Sequence, residues 1–157
     1  MKSVISIFLV SIVLSGCPDN NNSNKSVQEM TFETIYKDNL YGGTDIFEPK
    51  NFLFNMQDEW KSFLTKLDTE NKVSDQFDTS IDFSKYTVVA IIDELRNTGG
   101  FSIEVSKIID NKEQVMIMVK NLSPEPTDMV TMAINQPFHI IKINKTDKEI
   151  AFISAKE

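Results

Sequence analysis

His139 is the only histidine in this sequence, and so the one side chain whose ordinary titration suits proton transfer near neutral pH. It stands in an apolar stretch between Phe138 and Ile140. No glycine-framed nucleophile elbow surrounds any serine. Triads assemble in space, so spacing alone does not decide against a Ser-His-Asp set, but His139 reads as a structural or surface residue. Asp75, Asp78 and Asp82 place three carboxylates in one polar loop. Calcium takes oxygen ligands of this kind. Their spacing departs from the EF-hand loop and lacks its turn glycine, so they read as a solvated acidic loop. Asp93 and Glu94 are adjacent, which on a strand sends them to opposite faces and makes no catalytic carboxylate pair. There is no phosphate-cradling glycine loop, and one cysteine with one histidine makes no zinc set. The sequence therefore assigns no catalytic residue, no metal and no cofactor.

The remaining reactive group is the sole cysteine, Cys17. It follows a short basic start at Lys2, an uncharged apolar run over residues 4–14, and the small residues Ser15 and Gly16. Such an n-region, apolar core and cleavage site describe a secretory signal, and the run is shorter than the roughly 20 residues that span a bilayer. The pattern resembles a bacterial lipoprotein signal. That resemblance implies removal of residues 1–16, a diacylglycerol thioether on Cys17 and an acylated amino terminus. Each buried methylene adds about 0.8 kcal/mol to membrane attachment, and two or more chains hold stably. The expected location is the cell envelope, with the membrane reached through Cys17. An acylated Cys17 leaves no disulfide, so a packed core must stabilise the rest.

Residues 18–26, Asn-rich and without a large apolar side chain, read as a disordered tether with a reach of about 30 Å. Residues 27–157 then have the size of one domain. The formal charge of −7 becomes more negative when Lys2 leaves with the signal. It argues against nucleic acid and against electrostatic adhesion to anionic lipid.

Within residues 27–157, Met56, Trp60, Phe63, Leu64 and Leu67 recur at helical spacing and predict a helix over 56–68. Asn55 offers its N-cap, with Asp58 as capping-box partner. Asp58 and Glu59 early and Lys66 late suit the helix dipole. Strands are expected at 30–36, 51–54, 86–92, 101–105, 115–119, 137–143 and 150–153. The continuous apolar run 86–92 predicts a strand covered on both faces. Short connections favour antiparallel neighbours. The expected class is α+β: a mostly antiparallel sheet with the helix packed on it. The alternative is a β-sandwich with the helix at one end.

Gly99-Gly100-Phe101 after a polar turn, a hairpin partner at 115–120, Pro124 and Pro126 in a long connection, and Pro137-Phe138 occur in that order. Over residues 86–145 this resembles the C-terminal domain of the PrcB family of protease-complex subunits. The family pattern has Tyr where Phe138 stands. The resemblance implies a non-catalytic accessory subunit, associated with a surface subtilisin-like protease. From the residues themselves, Gly99 and Gly100 supply positive φ or close backbone approach at a turn. The connection 121–136 carries Met129 and Met132, which make an adaptable apolar surface if unpacked. The partner-binding candidates are thus Gly99, Gly100, Phe101, Pro124, Pro126, Met129, Met132, Pro137 and Phe138. Three functions fit: an accessory subunit for an envelope protease or other surface protein, an inhibitor-like module for a peptide or small ligand, and a hydrolase using carboxylates alone.

Overall fold

The computed structural model describes residues 27–42, 47–111 and 113–155. The expected signal over residues 1–16, Cys17 and the expected tether over 18–26 lie outside them. Among the described residues no helix is long and apolar enough to cross a membrane.

Among the described residues, eight strands form two open sheets. They are β1 (Gln28–Glu29), β2 (Phe32–Tyr41), β3 (Lys50–Phe54), β4 (Tyr86–Ile92), β5 (Ser102–Asp110), β6 (Gln114–Leu122), β7 (Asn135–Asn144) and β8 (Glu149–Ser154). One sheet has the order β2-β7-β4-β3 and is antiparallel throughout. The other has the order β1-β5-β6-β8, antiparallel except for the parallel pair β6 and β8. The one α-helix among the described residues, α1 (Gln57–Asn71), lies against the first sheet.

The first sheet is the middle layer, and its strands show why. Val88, Ala90 and Ile92 of β4 join Phe138 and Ile140 of β7 in a core closed by Trp60, Phe63, Leu64 and Leu67 of α1. Val89 and Ile91, with Ile141 and Ile143, face the other way and meet Ile103, Ile108, Val115 and Ile117 of the second sheet. Strands covered on both faces read as continuous apolar runs, which is the pattern of residues 86–92. The helix-side core is dense in rings: Trp60 lies 5.5 Å from Phe54 and 5.7 Å from Phe63, centroid to centroid. The Trp60 indole N–H donates to Thr79 O at 3.0 Å and so fastens the 77–83 segment over the helix.

The α+β class stands, but the expected lone sheet is two sheets, and the helix covers a face of the stack where the sandwich alternative put it at an end. The 145–148 connection does not pair its neighbours. Both edges of β7 are occupied, by β2 and β4, so the chain crosses to the second sheet and β8 pairs with β6. The helix also differs at both ends. Asn55 is not its cap: the Asn55 side chain accepts the Thr87 hydroxyl at 2.6 Å, the N-cap is Met56, and Met56 is exposed and outside the apolar stripe. The helix passes residue 68 to Asn71, where Lys72 takes a left-handed φ of 45°. Asp68 then accepts the Ser74 N–H and hydroxyl, which fixes the 3-10 turn Val73–Gln76. Lys66 sits over the Phe47 ring, 4.5 Å from its centroid, and the last helical turn has no basic residue.

Truncating Trp60 removes the largest buried side chain and the bond to Thr79. Trp60→Ala is expected to cost about 4 kcal/mol of unfolding free energy, read from the urea midpoint at constant m-value.

Candidate functional site

The residues that follow β4 build a charged knot. Asp93 is buried at the strand end, and its N–H donates to Pro137 O at 2.9 Å. Its Oδ2 accepts both Nε and a terminal nitrogen of Arg96, at 3.1 and 2.8 Å. Its Oδ1 accepts the Asn121 amide at 2.8 Å. Arg96 also reaches Glu94 at 2.7 Å and lies over the Phe101 ring at 4.6 Å. Asp93 and Glu94 do diverge, one buried and one exposed, and Arg96 collects both. A planar guanidinium is suited to this combination of fork and stack; an ammonium is not.

The knot carries a turn, and the turn carries a loop. Arg96 and Asn135 exchange backbone bonds at 2.7 and 3.0 Å, and the Asn135 amide donates to Thr98 O and Ala133 O. Gly99 N–H donates to Thr131 O at 2.9 Å. Gly100 has φ +87°, and a Cβ there would stand 2.9 Å from Pro124 Cβ and 3.0 Å from Val130 Cγ1. Positive φ and close approach are thus both realised at Gly100. The loop, residues 123–134, closes on itself where Asp128 and Glu125 exchange bonds. Its outer side presents Met129 and Met132, 102% and 88% exposed, beside the half-exposed Ile134.

The nine partner candidates therefore divide. Gly99, Gly100, Phe101 and Pro124 form the base of the loop, and Pro126, Met129 and Met132 its exposed side. Pro137 and Phe138 are buried, and Phe138 packs 6.0 Å from Tyr36 in the helix-side core. Their side chains meet the protein interior and leave the partner-facing set. Arg96, Asn121 and Asn135 were not anticipated. One signal was present: Arg96 is the only arginine in a chain whose other cationic side chains are lysine.

The remaining chemistry-bearing residues are committed elsewhere. His139 is buried between the sheets. The Val105 N–H donates to its Nδ1 at 3.0 Å, so the ring is neutral there, and Nε2–H donates to Thr34 Oγ1 at 2.9 Å. Burial, with Lys37 nearby, depresses its pKa to about 4. Asp78 accepts the Ser80 N–H. Asp82 accepts the Ser84 hydroxyl and N–H and pairs with Lys85, which holds it down to about 2. Both are turn-forming carboxylates.

Removing one member of a buried ion pair leaves the other unmatched. Asp93→Ala is expected to destabilise the fold by about 3 kcal/mol in urea and to speed amide exchange at Gly99. For His139 the folded pKa lies below the ordinary 6.5, so the unfolded chain binds the extra proton. Stability is unaffected above pH 6.5 and falls as pH drops from there toward 4. His139→Gln keeps an acceptor and a donor without titrating. Between pH 7 and 4.5, wild type is expected to lose about 2 kcal/mol more than this variant in paired urea titrations.

Residues 87–144 match the family model described as PrcB C-terminal. Comparison with curated proteins and with solved structures gave no match in either case. The matched segment runs from β4 through β7 and includes the knot, the Gly99-Gly100 turn and the whole 123–134 loop. By this match, residues 87–144 are similar to the PrcB C-terminal family.

Proposed function

We propose that the protein is a non-catalytic subunit, held on a bacterial envelope membrane by acylated Cys17, which docks an envelope protease through residues 123–134. The likeness of residues 87–144 to the PrcB C-terminal family supports association with a protease complex in general. The observation that carries the finer reading is the exposure of Met129 and Met132 on a loop whose base is rigid. Free methionine side chains adapt to varied apolar partners. A base fixed by Gly100, Pro124 and the Asp93–Arg96 pair limits the ordering cost on docking. A subunit role also agrees with the state of His139, both of whose ring nitrogens are bonded within the fold. The Asn-rich residues 18–26 would give the domain reach above the headgroups.

The test is crosslinked recovery of the tagged protein from native envelopes, read by mass spectrometry, with Cys17→Ser as the unanchored control. A subtilisin-like protease is expected in stoichiometric amount. Met129→Asp with Met132→Asp should reduce its recovery about tenfold without lowering the thermal midpoint, because both side chains are exposed. Recovery of the protein alone, or undiminished recovery with the double variant, overturns the proposal.

A further inference from the structure

Strand β8 ends the second sheet, and nothing pairs with its outer edge among the described residues. Which of its groups are free follows from one bond. Ala155 donates its N–H to Val119 O of β6 at 2.7 Å. Main-chain groups of successive strand residues point to alternate edges, so Ala151 and Ile153 also face β6. The N–H and C=O of Ile150, Phe152 and Ser154 then face outward, as a row that only another extended backbone satisfies in register.

The other edges are blunted. Strand β1 is only two residues long. Strand β2 has a register irregularity between Thr34 and Tyr36 and carries Glu33, Lys37 and Asp38. Strand β3 is preceded by Pro49 and begins at Lys50. Bulges, charge and proline are the usual protections of an edge. From Ile150 to Ser154, β8 has none of them.

Beside this edge the two sheets part. Lys50 on one wall and Phe152 and Ser154 on the other line a cleft of about 340 Å³, with Ile103 and Val119 at its base. Lys50 lies at the Ser154 end, and the exposed Glu149 marks the opposite end of the strand. An antiparallel added strand would meet Lys50 with its amino-terminal side and Glu149 with its carboxy-terminal side. The formal charge of −7 disfavours a second copy as that strand.

We propose that β8 binds an extended segment of a different protein as an added antiparallel strand, with alternating apolar side chains, an acidic residue toward Lys50 and a basic residue toward Glu149. This does not rest on the protease reading, and either can fail without the other.

The probe is a fluorescein-labelled peptide, Asp-Thr-Val-Thr-Ile-Thr-Lys, titrated into the purified protein by anisotropy, with amide exchange read by NMR. Saturable binding is expected, with new protection at Ile150, Phe152 and Ser154. Ser154→Pro removes one outward donor at a position where an edge tolerates proline. Ile153→Lys adds a charge to the strand's half-exposed face and leaves the outward backbone intact. Each is expected to weaken binding about tenfold, with an unchanged thermal midpoint. The same peptide with proline at both apolar positions should not bind. Absence of saturable binding at millimolar peptide overturns the proposal. So does protection confined to other residues, binding insensitive to both variants, or self-association of the protein in light scattering.

Discussion

Strand β7 is hydrogen-bonded along both edges and buried on both faces, and the rest of the molecule is arranged around that condition. A strand so placed must supply two cores at once. Phe138 and Ile140 fill the layer under α1, while Ile141 and Ile143 fill the layer between the sheets. It also leaves the chain beyond Asn144 without an edge to join. Lys145 turns away with its N–H on Lys85 O, and Lys148 is held by the Asp110 carboxylate at 2.6 Å. The next strand therefore pairs in parallel with β6, which a connection of that length does not suggest by itself.

Burial on both faces makes any polar side chain on β7 costly unless it is bonded. Each of its three buried polar side chains holds a segment outside the regular ladders. His139 receives the Val105 N–H beside the irregularity at Ser106. Gln136 donates to Phe47 O and Asp93 O, joining the approach to β3 to the end of β4. Asn135 binds the 96–98 turn and Ala133 O at the far end of the loop. The buried polar residues of this strand are its tie points to irregular backbone, and the loop geometry depends on them.

These relations also mark what the sequence made legible. The two-sided character of residues 86–92 and the Trp60 face of the helix are local properties, visible as an unbroken apolar run and as helical spacing. Partner choice is not local: a period of two says which side chains share a face, not which strand lies alongside. The pairing of β8 with β6 was hidden for that reason. The irregularity at Ser106 has the same origin. Strict alternation from Ile103 and Val105 would bury Lys107, whereas one extra residue turns Ile108 inward and leaves Lys107 exposed. Asn55 looked like a cap because its type suits one, but Thr87, distant in sequence, took its side chain. The Gly99-Gly100 turn was readable because glycine pairs have few uses. Its support was not, because Asp93, Asn121 and Asn135 are ordinary residue types and only the lone arginine was unusual.

Asp93 gives the site its logic. One carboxylate oxygen holds Arg96, which stacks on Phe101 beneath the 99–100 turn. The other holds Asn121, which lines the cleft beside β8 together with Asp93 itself. A loop read through its side chains and an edge read through its backbone are thus supported by the two oxygens of a single group. Surfaces of such different chemistry would ordinarily vary independently. Here the desolvation of that carboxylate is offset only while both neighbours stay in place. The geometry of the loop base and the geometry of the cleft wall are therefore constrained together.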